Sequence, residues 1–167
     1  MALAVMSAGA AKVRVTRLRP AFVVETGSDL DAVFGAVGTL RDEFVAGHRC
    51  DVLILSQSLI DEFVADGKLV QRSVAAVGLV RTGLAAGADE PAPMCRRRTP
   101  SGAHQTTEVL NTQGVRLIGT LPGELSLTTY TAAVTSNAAD PGVARRLVSM
   151  LTAESSKGLR RDCGFEF

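Results

Sequence analysis

The groups best placed for chemistry in this chain lie in two small-residue turns, Ser7-Ala8-Gly9-Ala10 and Gly35-Ala36-Val37-Gly38-Thr39. Each turn follows a short apolar run and precedes a stretch of helical character. A strand that ends in such a turn and opens into a helix leaves backbone N–H groups without partners, and the helix dipole adds partial positive charge at the same point. The chemistry this suits is anion binding. Ser7 adds a hydroxyl to the first turn. Ser56 follows a third apolar run, Asp51 to Leu55, where it suits both helix capping and ligand contact. Such turns on successive strand–helix units predict one shared site along one edge of a sheet.

Other constellations carry less. The cysteines, Cys50, Cys95 and Cys163, are three in number and unevenly spaced, with no CxxC and no Cys/His pair at zinc spacing. They read as reduced, structural thiols. His48 and His104 lack metal-ligand partners at useful spacing, so neither a metal nor any other cofactor is expected. A Ser–His–Asp set can be written from Ser7, His104 and Asp51, but no G-x-S-x-G elbow supports it. Arg96-Arg97-Arg98 reads as a solvated basic run. Asp61, Glu62 and Asp66 read as an exposed helix face.

The elements that must hold the two turns follow from hydrophobic patterning. Apolar residues make up 46% of the chain and aromatic ones only 4%, so the core must be aliphatic, as in parallel α/β layers. The net charge of +1 gives no support for nucleic-acid or acidic-membrane binding. No apolar run reaches the ~20 residues of a membrane span. Met1 to Ala11 has the apolarity of a secretion signal, yet its first cation, Lys12, follows the run instead of preceding it. It reads as a buried strand.

Ala2–Met6, Leu30–Phe34 and Asp51–Leu55 are expected strands, each followed by a helix. The second helix is expected over Leu40–Ala46 with Thr39 as its cap, and the third runs from Ser56 or Ser58 to Ala65. Between Ala11 and Thr26 the signals conflict. Lys12 to Leu18 alternates like a strand, whereas Val15, Leu18, Phe22 and the Gly27 stop fit a helix despite Pro20. Val74–Val80 is a further strand, and Gly83 to Gln105 lacks any periodicity and reads as a loop. Val115–Leu121 and Thr128–Thr135 are strands; Asp140-Pro141 starts a helix, and a last short helix covers Ser155–Cys163. The β-α alternation predicts an α/β fold, a doubly wound and mainly parallel sheet with helices on both faces.

Taken in series, several of these segments resemble the type 2 periplasmic solute-binding proteins, specifically the molybdate-binding-protein-like branch. They are Met6 to Lys12, Leu18-Arg19-Pro20-Ala21-Phe22 with Thr26-Gly27, Phe34 to Arg41, and Cys50 to Ser56. Gly119 to Leu125, Asp140-Pro141 and Gly164-Phe165 complete the series. The resemblance covers residues 2–82 and 108–167 and implies that Ala11–Thr26 is helical. It implies a single discontinuous lobe made of 1–82 and 108–167. Residues 83–107 are then an abbreviated, loop-like insert where the second lobe would stand, with Ser101-Gly102-Ala103-His104 as a trace of a ligand-side turn. It implies ligand contacts from Ser7, Ala8 and Gly9, and from Ala36, Val37 and Gly38, where a serine of the family pattern is replaced. Ser56 and Tyr130 would flank the cleft.

The function implied is non-covalent binding of a small anion, a molybdate-type oxyanion or a small organic acid, without enzymatic chemistry. The partners implied are the ligand and an ABC transporter permease. An extracytoplasmic location is implied too, although no signal peptide is recognisable and a cytoplasmic one stays open. The other reading is an interaction protein that binds no ligand and forms a homodimer through apolar surface around Val37, Leu79 and Tyr130.

Overall fold

The structure is a computed structural model that describes residues 2–88, 103–123 and 126–167. Among the described residues the sheet has seven strands in the order β2 (Asp29–Gly35), β1 (Ala2–Ala8), β3 (Val52–Ser56), β7 (Leu127–Val134), β4 (Ala75–Gly87), β5 (Ala103–Gln105), with β6 (Val115–Thr120) also paired to β4. β1 (Ala2–Ala8) is central to three parallel strands, flanked by β2 (Asp29–Gly35) and β3 (Val52–Ser56). β7 (Leu127–Val134) joins β3 in antiparallel register, and β4 (Ala75–Gly87) joins β7 likewise. The parallel part of the sheet is therefore β2-β1-β3, with antiparallel strands beyond it.

The first strand is buried over nearly its whole length, and Val52 to Leu55 are fully buried, which is why both read as continuous apolar runs. A Gly9–Ala11 3-10 turn runs straight into α1 (Lys12–Thr26), which ends on Gly27 at φ +67°. α2 (Val37–Val45) follows β2, and α3 (Gln57–Ala65) follows β3. Because β2 and β3 lie on opposite sides of β1, right-handed crossovers place α1 and α2 on opposite faces of the sheet. α1 packs with α5 (Pro141–Thr152), and α2 meets α3 through a Phe44–Phe63 edge-to-face contact with centroids 4.9 Å apart.

The Lys12–Leu18 ambiguity has a physical cause. Arg14 is fully buried although it reads as a surface residue. Its Nη2 donates to the carbonyls of Met150 (2.8 Å) and Leu151 (3.4 Å) at the C-terminal end of α5. Arg160, in α6 (Lys157–Asp162), donates from Nη2 to the carbonyls of Thr152 (3.1 Å) and Ala153 (3.2 Å). Two cations thus satisfy the last carbonyls of α5 and oppose its dipole. A charged residue at a buried helical position breaks the apolar stripe that periodicity looks for.

Three expectations need correction. α2 begins at Val37 with Ala36 as N-cap, so Thr39 lies inside the helix. The α3 N-cap is Ser56, but its hydroxyl makes no capping bond. The supposed loop is also structured at both ends: β4 continues through Gly87, and Ala103–Gln105 form β5, which leads into α4 (Thr106–Leu110). The outer half of β4 pairs with β5 and with β6 (Val115–Thr120), so β4 links the main sheet to a small second unit made of β5, α4 and β6. Alternation fails in that outer half because Gly83, Ala85, Ala86 and Gly87 offer little apolar contrast. Arg96-Arg97-Arg98, Cys95, Ser101 and Gly102 lie outside the described residues.

Candidate functional site

The carboxyl ends of β1, β2 and β3 lie side by side. The register sets Ala8 opposite Gly35 and Ser7 opposite both Phe34 and Ile54, while Ser56 pairs with Tyr130 of β7. The chain reverses its direction of winding between β1 and β3, which makes this edge a topological switch point, the usual place for a crevice in an open α/β sheet. Ser7, Ala8, Gly9, Ala36, Val37, Gly38, Ser56 and Tyr130 are therefore all brought to one edge.

Three helix starts meet there with extended N-cap residues: Ala8 (φ −52°, ψ 144°), Ala36 (φ −66°, ψ 144°) and Ser56 (φ −63°, ψ 147°). None has a side chain accepting from the first helical N–H groups. α5, which starts beside the opposite ends of the strands, behaves differently. There Asp140 Oδ1 accepts from Gly142 N and Val143 N, both at 3.0 Å. α5 is the one described helix with a side-chain cap, so what sets this edge apart is the convergence of three helix starts, whose N–H groups are the donors an anion needs.

The side chains at this edge play unequal parts. Ser7 is fully buried, and its hydroxyl donates to the Ala8 carbonyl at 3.1 Å. Gly9 is half-buried, and Ala36 and Gly38 are exposed. Ser56 Oγ lies 3.5 Å from Ser58 Oγ. Tyr130 is only 3% exposed, and burial, with a smaller contribution from the Glu108 charge, pushes its phenol up to about 12. With Tyr130 buried and Val37 and Leu79 half-buried, those three residues do not form an exposed apolar patch. The paper triad is not assembled, because Asp51 sits at the opposite end of the strands. Its Oδ2 accepts from Ala4 N and its Oδ1 from Ala139 N, both at 2.8 Å.

The sequence did not point to α4. This helix packs against the Gly9–Ala11 turn, and Glu108 Oε1 stands so close over Gly9 that a Cβ there would collide with it. Between the turn and α4 lies a groove of about 400 Å³ lined by Gly9, Lys12, His104, Glu108, Asn111 and Thr112, among others. Glu108 was hidden because its helix is five residues long and adjoins an aperiodic stretch. Gly9, Lys12, Val13 and His104 of this groove lie in segments that the sequence does single out; Glu108 does not.

No family model matches the sequence, and no curated protein matches it. The fold has many likenesses among solved structures. The periplasmic molybdate-binding protein of Azotobacter vinelandii is similar with TM-score 0.82 at 11% identity, covering 99% of each chain. The sulfate-binding protein of Mycobacterium tuberculosis gives 0.76 at 13% identity, with 99% of this chain and 86% of that one covered. The tungstate ABC transporter structure from Geobacter sulfurreducens gives 0.64 at 14% identity, with 96% and 98% covered. At such identities the likeness speaks for the fold alone. The chain has the type 2 solute-binding-protein fold, with relatives in structure of the molybdate-binding kind.

Proposed function

We propose that this protein binds a small anion, an oxyanion or a small organic acid, in the manner of a transport-associated substrate-binding protein. The observation that carries this reading is the meeting of three helix starts without side-chain caps at one sheet edge. The backbone of Ala8, Gly9, Ala36, Val37 and Gly38 supplies the donors, with Ser56 and Tyr130 at the flank. The Ser7 hydroxyl joins only by leaving the Ala8 carbonyl. No bond is made or broken in this process. Similar structures are a periplasmic molybdate-binding protein, a sulfate-binding protein and a tungstate ABC transporter protein, which supports the anionic class and an extracytoplasmic, transport-associated role.

A thermal-shift series with molybdate, tungstate, sulfate, phosphate and small carboxylates tests it. A saturable rise in melting temperature with at least one of them is expected, since a ligand that binds only the folded state stabilises it. No shift with any of them, together with a concentration-dependent dimer, would favour the non-binding interaction protein instead.

A further inference from the structure

The groove beside the first turn carries opposite charges on facing walls. Lys12 stands at the start of α1, and its ammonium has no carboxylate partner among the described residues; it lies 6.0 Å from the centroid of the Phe34 ring. Glu108 stands across from it on α4, and its carboxylate likewise has neither a hydrogen bond nor an ion pair among the described residues. Glu108 also borders a second groove on its other flank, about 230 Å³, where Ala85, Ala86, Val109 and Val115 supply apolar wall. The two grooves share His104, Glu108 and Thr112; the first adds the uncapped turn and Lys12, and the second adds the four apolar side chains.

A carboxylate over Gly9 is the wrong neighbour for a fully ionised oxyanion, because like charges at close range repel. It is the right neighbour for an ammonium group. We propose that Glu108 is the specificity-determining residue of this cleft, and that it selects a small apolar α-amino acid over an inorganic oxyanion. The ligand carboxylate lies on the first turn and Lys12, its ammonium on Glu108, and its side chain in the Ala85–Val115 groove. The inference rests on the anion-binding reading of the turns and narrows its ligand class to a zwitterion.

Titration calorimetry on the full chain tests this with four probes: leucine, N-acetyl-leucine, 4-methylvalerate and sulfate. For the wild-type protein leucine is expected to bind at least about tenfold tighter than the two carboxylates that lack an ammonium, and sulfate weakest of all. Glu108→Gln should abolish the preference for leucine and raise sulfate affinity by about tenfold or more. The wild-type comparison of leucine with N-acetyl-leucine needs no variant, so it stands even if Glu108→Gln fails to fold. Equal binding of leucine and N-acetyl-leucine, or sulfate as the tightest ligand of the wild type, overturns the role of Glu108 but leaves the anion site intact. If none of the four probes binds either protein, both the role of Glu108 and the anion site fall.

Discussion

Tyr130 offers a sharp probe of the cleft because it is the chain's single tyrosine and there is no tryptophan. The perturbation is alkaline titration, followed by tyrosinate absorbance in the near ultraviolet. Burial raises the folded-state pKa from 10.0 to about 12, and the Glu108 charge adds to the shift. The raised value means that folding favours the neutral phenol. Its contribution to stability is fully present below pH 10 and is lost as pH climbs from 10 towards 12. A two-unit shift corresponds to about 3 kcal/mol over that window. Native protein, with its fold monitored by far-ultraviolet circular dichroism, should titrate near 12, and urea-unfolded protein near 10. Glu108→Gln should lower the native midpoint by a smaller amount, because burial is the larger cause. A native midpoint at 10 with the dichroism unchanged would refute the reasoning, since Tyr130 would then be in water.

Three other predictions concern the frame that holds the edge. Asp51→Ala strands the buried N–H of Ala4 and releases that of Ala139. Two charge-assisted bonds of this kind are together worth about 3–5 kcal/mol, and urea unfolding should show a loss of that size at unchanged slope. Gly78→Ala should cost about 1–3 kcal/mol in the same assay, because a Cβ there meets Phe165 Cδ1 at 3.0 Å and the Glu166 carbonyl at 3.2 Å, at φ +154°. Burial pushes the Cys50 thiol up to about 12. In a Cys95→Ser background, native protein at neutral pH should therefore resist aromatic disulfide reagents at Cys50 and react there only after unfolding.

What the sequence made legible was the part with strong local contrast. Asp51 to Leu55 and Ala2 to Met6 are apolar runs beside small-residue turns, and Asp140-Pro141 is a helix start with a mechanism; the structure has a strand at Val52–Ser56, a strand at Ala2–Ala8 and a helix from Pro141. The aligned ends of β1, β2 and β3 then follow from the β-α alternation. The illegible part depends on tertiary compensation. Arg14 sits in the core because α5 ends against it, which local reading of α1 cannot see. The outer half of β4 is held by β5 and β6, and a strand of glycines and alanines shows no period of its own. Glu108 reaches the Gly9 turn only because that second unit folds back on the cleft edge. The turns were visible, and the residue facing them was not.

The most direct test of the central claim is a backbone-amide NMR titration of the labelled protein with sulfate, acetate and glycine in turn. The account predicts that at least one gives saturable shifts, largest at Gly9, Ala10, Val37, Gly38 and Gln57. Shifts confined to scattered surface lysines and arginines, with these five amides unmoved by every probe, would contradict it.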